Sequence, residues 1–195
     1  MSTQSKAFLT PEQYLEIERA AEVKSEYFNG EMFAMSGARR KHNLIQTNIL
    51  SELRQQLRGR QCETYPSDMR VRVSATGLYT YPDVVVVCGE PIFLDDREDT
   101  LLNPTLLVEV LSPSTEKYDR GQKLEHYQTI ESLRHYLLVA SDRVRADLFT
   151  LPTGWTGTGN LEDMIALEAI GCRLKLADIY EKVKLEPVPL RAQNV

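Results

Sequence analysis

The chain has 195 residues, 42% of them hydrophobic and 26% charged, enough for a sizeable core and too apolar for a disordered chain. Its net charge of −5 argues against a non-specific nucleic-acid coat but leaves room for a nuclease with segregated charge. Three widely spaced cysteines, Cys62, Cys88 and Cys172, form no CxxC pair, so neither a zinc knuckle nor a disulfide scaffold is expected.

In chain order, Thr10-Pro11-Glu12-Gln13 is a helix start, with Thr as N-cap and Gln closing a capping box, and the helix is expected to reach about Val23. Asn29-Gly30 between apolar stretches predicts a type I′ hairpin. Ile45, Ile49, Leu53 and Leu57 recur every four residues and predict an amphipathic helix from Lys41 to Leu57, ended by Gly59. Strands are expected at Cys62–Tyr65, Met69–Val73 and Asp83–Cys88, an acidic loop at Asp95–Asp99, and a central strand at Thr105–Leu111. Asp119 is read as the N-cap of a helix running to about Ile130. Strands follow at Tyr136–Ala140 and Arg145–Leu151, a glycine-rich turn around Trp155, a further strand at Leu161–Ala169, and a short helix at Ala177–Lys182. The tail beyond Pro187 reads as frayed. The order implies one α/β domain built on a central mixed sheet flanked by helices, with its core at about 11–182 and a tail at each end.

The N-terminus carries no apolar stretch with a small-residue cleavage site, and no window approaches the roughly 20 apolar residues of a membrane span. A reduced, cytoplasmic protein is therefore expected, with no membrane association. The nucleophile elbow GxSxG, the P-loop and HExxH are all absent, and His42, His126 and His135 are too scattered to predict a zinc cluster. Two carboxylates stand out instead. Asp83 opens the run Val84-Val85-Val86-Val87, and Glu109 interrupts Leu106-Leu107-Val108 and Val110-Leu111. A buried carboxylate needs a cation, a metal or strong donors, and for Glu109 alone a structural salt bridge is the competing reading. As a pair on neighbouring strands they can hold one hard divalent cation, which suits phosphodiester hydrolysis. Such chemistry wants a nearby lysine. Leu111 stands two residues after Glu109, so the candidates are Lys123, with Tyr127 on the same helix face, and the closer Lys117. Arg39 to Arg72 holds eight basic residues against Glu52, Glu63 and Asp68, a surface for phosphates or simply a solvated face.

Tyr27-Phe28-Asn29-Gly30-Glu31, His42-Asn43, Pro82-Asp83-Val84, Val108-Glu109-Val110-Leu111-Ser112-Pro113-Ser114-Thr115 and Lys123 with Tyr127 together resemble the Uma-two-type restriction-endonuclease-like family of the PD-(D/E)xK nuclease superfamily. The resemblance spans about Pro11 to Lys182. It implies a restriction-endonuclease-like fold, Asp83 and Glu109 as metal-binding acids for Mg²⁺ (Mn²⁺ substituting), and Lys123 in place of the superfamily lysine that Leu111 displaces. Glu31, His42 and Tyr127 match supporting positions. The implied function is a Mg²⁺-dependent nuclease, foremost a DNA endonuclease, with Arg39, Arg40 and Lys41 holding the nucleic-acid backbone and a homodimer serving double-strand cleavage. The alternatives are a non-catalytic nuclease-like binding module with a degenerate metal site, and a hydrolase of small phosphoesters.

Overall fold

A computed structural model describes residues 8–185, so the expected frayed tail beyond Pro187 lies outside the described residues. The first helix, α1 (Pro11–Ala20), begins as its sequence dictates: Thr10 Oγ1 accepts from the Gln13 N–H while Gln13 Oε1 accepts from the Thr10 N–H. It ends three residues earlier than expected. Strands β1 (Ser25–Phe28) and β2 (Glu31–Ala34) form the hairpin, with both Asn29 and Gly30 at positive φ as a type I′ turn demands. The long helix α2 (Arg40–Gln56) buries Ile45, Ile49 and Leu53 along one stripe.

The described strands form two main sheets and a separate two-stranded hairpin rather than one sheet. The larger has the order β11-β10-β9-β8-β6-β3, and the smaller the order β2-β1-β5-β4-β7. In the large sheet, β3 (Cys62–Pro66) pairs antiparallel with β6 (Val84–Cys88), and β6 antiparallel with β8 (Leu106–Leu111). Next, β8 runs parallel to β9 (His135–Ala140), followed by antiparallel β10 (Ala146–Thr150) and β11 (Gly154–Thr158). The small sheet adds β4 (Arg70–Val73), β5 (Leu78–Thr80) and β7 (Thr100–Leu101) to the hairpin. A separate hairpin of β12 (Met164–Leu167) and β13 (Cys172–Lys175) precedes the short helix α5 (Leu176–Ile179).

Side-chain alternation assigns the two faces of the large sheet. Val84, Val86, Leu106, Val108 and Val110 pack with the apolar stripe of α2 and with the β12–β13 hairpin. Val85, Val87, Leu107 and Leu111 pack on the opposite face with Val71, Val73 and Leu78 of the small sheet. The outer face of the small sheet is covered by α1 through Tyr14, Leu15, Tyr27 and Tyr79. Three segments are not legible in the sequence, two of them, β5 and β7, because they are too short to show periodicity. The third, β13, was hidden behind the continuous strand expected to run to Ala169, which instead stops at Leu167 in a 3₁₀ turn. The glycine-rich stretch around Trp155 is an edge strand, where missing side chains are tolerated because one face lies open.

The cysteines require a correction. Cys62 and Cys88 are joined in a disulfide, because the β3–β6 register sets them directly opposite each other. Their 26-residue separation gave no sign of it; only strand pairing does. Cys172 is a buried free thiol.

Candidate active site

The register that pairs Val84 with Val108 sets Asp83, one residue before β6, opposite Glu109 on β8. Alternation turns Glu109, with Leu107 and Leu111, toward the space between the two sheets. The same rule works on the small sheet. Tyr27 and Tyr79 face α1, so Glu26 on β1 and Thr80 on β5 face inward, and Thr80 Oγ1 donates to Glu26 Oε1. The gap between the sheets is closed by a helical segment made of α3 (Glu116–Tyr118), a π-helical turn (Asp119–Lys123) and α4 (Leu124–Tyr127).

Lys123 joins these pieces. Its Nζ lies 2.9 Å from Glu109 Oε1, 3.0 Å from Glu26 Oε1 and 3.6 Å from Asp119 Oδ1. The Tyr127 hydroxyl donates to the same Glu109 Oε1 at 3.0 Å. Asp83 is held separately: its Oδ2 accepts from the Val110 N–H at 2.7 Å and lies 3.1 Å from His42 Nε2. Gln46 on α2 donates to the Asp83 carbonyl at 2.8 Å, which ties the first turns of that helix to the start of β6. Lys123, Glu109 and Asp119 are each about 5% exposed or less, so water cannot compensate their charges.

The charges do not balance. Glu26, Asp83, Glu109 and Asp119 face one ammonium and one imidazole. Burial pushes the Glu109 carboxyl well above its usual range; Lys123 opposes the rise, and Asp119 and Asp83 add to it. Burial likewise raises Asp119. On Lys123, burial acts against the charged form, but Glu109, Tyr127, Glu26 and Asp119 outweigh it and hold the ammonium well above its ordinary value. The group is an acid-rich cluster in which burial raises the Glu109 carboxyl and the surrounding carboxylates favour the Lys123 ammonium.

The structure therefore brings Asp83, Glu109, Lys123, His42 and Tyr127 into one neighbourhood. Lys117, the alternative lysine, is exposed, and Leu111 lies in the apolar cluster between the sheets. Glu31 stands across the turn from Phe28, and the hairpin residue that reaches Lys123 is Glu26. Glu26 was missed because it lies among ordinary strand residues and only the inter-sheet packing reveals it. Asp119 is not the helix cap its sequence suggests: it is buried inside the helical segment, faces Lys123, and the segment starts earlier, at Glu116. Among the described residues, no three His, Cys, Asp or Glu side chains form a ready-made metal cage. The basic run also divides. Arg39 and Arg40 are exposed at the start of α2, within a turn of His42, and Lys41 is half-buried. Arg70 is buried, bonded to Thr100 and Tyr81 and paired with Asp99, and Arg60 donates to the Ile170 and Gly171 carbonyls. No described helix is long and apolar enough to cross a membrane.

Comparison with known proteins bears on the family and the fold. A family model described as "Uma2: Putative restriction endonuclease" matches residues 11–177. The "Uncharacterized protein slr1290" of Synechocystis sp. (strain ATCC 27184 / PCC 6803 / Kazusa) is 41% identical over 143 residues, 72% of this chain and 73% of the relative. The "Uncharacterized protein sll1609" of the same organism is 40% identical over 131 residues, 67% of this chain and 74% of the relative. In fold, the chain is similar to the crystal structure of "a putative nuclease belonging to DUF820" from Anabaena variabilis ATCC 29413. The TM-score is 0.74 at 16% identity, covering 89% of this chain and 98% of that one. The α/β fold is thus restriction-endonuclease-like, as the sequence implied, and the chain belongs to the Uma2 family.

Proposed function

We propose that this protein is a divalent-metal-dependent nuclease that hydrolyses DNA phosphodiesters, with Mg²⁺ as the metal and Mn²⁺ able to substitute. The reading rests on one observation: Asp83, one residue before β6, stands opposite Glu109 of the adjacent strand β8, with Lys123 against Glu109. The site offers oxygen donors and an excess of negative charge, a combination that suits a hard divalent cation. Asp83 and Glu109 would hold it as a two-carboxylate site completed by water. Such an ion supplies the positive charge that a bridging phosphodiester and an attacking water both require.

The chain's own residues do the positioning. The Val110 N–H and His42 fix the Asp83 carboxylate through Oδ2, and Tyr127 fixes Glu109 through Oε1. Lys123 places a full positive charge beside Glu109, where negative charge developing on a phosphoryl group can be met. Arg39 and Arg40 lie within a turn of His42 and supply the exposed cations nearest along the chain for a nucleic-acid backbone, with Lys41 beside them. A pair of copies would serve to cut both strands.

Supercoiled-plasmid nicking tests the reading. Cleavage with Mg²⁺ or Mn²⁺ that is lost with a chelator and with Asp83→Asn supports it. Metal-independent cleavage, or full activity in Asp83→Asn, refutes it. The enclosure of Lys123 by three carboxylates favours a second reading, a nuclease-like module that binds nucleic acid without cutting. Metal-insensitive binding with no nicking would support that alternative.

A further inference from the structure

Lys123 has two different sets of acidic partners. Glu109 comes from the large sheet and is a proposed metal ligand. Glu26 comes from the small sheet and Asp119 from the lysine's own helical turn. The ammonium sits between the two sheets, 2.9 Å from one carboxylate and 3.0 Å from the other. A divalent cation on Glu109 would repel that ammonium and compete for the same carboxylate. The ammonium cannot leave for water, because Lys123 is 4% exposed. It needs a second acceptor already in place.

We propose that Lys123 is a built-in counter-cation of the metal site and that Glu26 is the positioning residue that takes over its ammonium when a divalent ion occupies Asp83 and Glu109. The Thr80 hydroxyl, buried on the neighbouring strand, donates to Glu26 Oε1 and holds that acceptor ready. Asp119, at 3.6 Å, is the secondary acceptor on the same helical segment. The inference rests on the metal reading of the site. It adds that Glu26 governs metal affinity through Lys123 rather than by ligation.

The experiment is a double-mutant cycle read by Mn²⁺ affinity, measured by titration of the metal alone into wild type, Glu26→Gln, Lys123→Gln and the double variant. Removing the competing ammonium should tighten Mn²⁺ binding in Lys123→Gln. Glu26→Gln should weaken it about tenfold while Lys123 is present, because the ammonium then stays on Glu109, and by less than about twofold in the Lys123→Gln background. Equal weakening in both backgrounds would make Glu26 a direct ligand or a remote charge and overturn the inference, as would no effect in either. Should Glu26→Gln not fold, Glu26→Asp keeps the charge but withdraws it from the lysine. It should show coupling of the same sign and smaller size, and no coupling there overturns the inference as well. Absence of Mn²⁺ binding by both wild type and Lys123→Gln would overturn the metal reading itself. A missing coupling in proteins that do bind Mn²⁺ overturns only the role of Glu26.

Discussion

Neutralising either member of the Lys123–Glu109 pair removes one charge from the same 2.9 Å contact, yet the two changes should have unequal consequences for the metal-free protein. Lys123→Gln leaves Glu26, Glu109 and Asp119 without their shared cation in a nearly water-free space. Breaking a buried pair from the side that strands the charge costs about 3 kcal/mol or more. For a chain of this length that corresponds to a fall in Tm of roughly 6–12 °C. Glu109→Gln keeps an oxygen for Tyr127 and Lys123, and leaves the ammonium with two carboxylates. Its effect should stay within about 1 kcal/mol in either direction. Urea unfolding of chelator-treated protein measures both. Equal losses, or a larger loss for Glu109→Gln, would refute the charge imbalance on which the reasoning depends.

The same imbalance sets a pH dependence. Burial raises the Glu109 carboxyl above its ordinary 4.5, so the folded state keeps that proton longer than the unfolded state. The stabilisation is complete below pH 4.5 and disappears as pH rises through the folded value. Metal-free wild type should therefore lose stability from about pH 5 upward, and Glu109→Gln should lack that part of the slope. The deficit of Lys123→Gln should grow with rising pH, as Glu109 and Asp119, both raised by burial, give up their protons in the folded state. A deficit that shrinks with rising pH would contradict the assignment.

Three further outcomes are expected. Lys123→Ala should lose most plasmid cleavage while Lys117→Ala is silent; full activity in Lys123→Ala, or a loss confined to Lys117→Ala, would move the catalytic lysine elsewhere. Charge reversal at Arg39 and Arg40 should weaken DNA binding across unrelated sequences and reduce the salt slope by roughly 2, whereas an unchanged slope would exclude this surface. Replacing Cys62 and Cys88 with alanine, or reducing them, should cost about 3–4 kcal/mol by loop entropy for a 26-residue separation, visible as a lower Tm than in the oxidised protein.

How far the sequence could be read depended on whether each signal was local. The capping box, the Asn-Gly turn and the four-residue stripe of α2 are set by neighbours a few positions apart, and each appears as expected. Glu109 was conspicuous because a carboxylate inside an apolar strand has few outlets, and Lys123 with Tyr127 followed from helical spacing. Glu26 and the Cys62–Cys88 bond belong to another class. One needs the stacking of two sheets and the other a strand register, and neither leaves a mark in its own segment. The helical segment fell between the two. Its residues were recognised, but the π turn that buries Asp119 beside Lys123 was not, since no local cap or spacing distinguishes it from an α-helix.

The burial of so many charges is itself informative about what the cluster is for. The space between the sheets is otherwise filled by Leu107, Leu111, Val85 and Leu138, and an apolar set there would hold the fold at least as well as ionised groups do. A purely structural ion pair would also be balanced, with each carboxylate matched by its own cation. Other partly or fully buried carboxylates in the fold have cations to spare: Asp99 has Arg19 and Arg70, and Asp147 has Arg120 and Arg145. At Lys123 the ratio is reversed, with several acids converging on one ammonium from two sheets and a helical turn. Such an excess destabilises the metal-free protein and is relieved by a further positive charge. That excess, gathered around the opposed Asp83 and Glu109, supports the proposed cation dependence of the site.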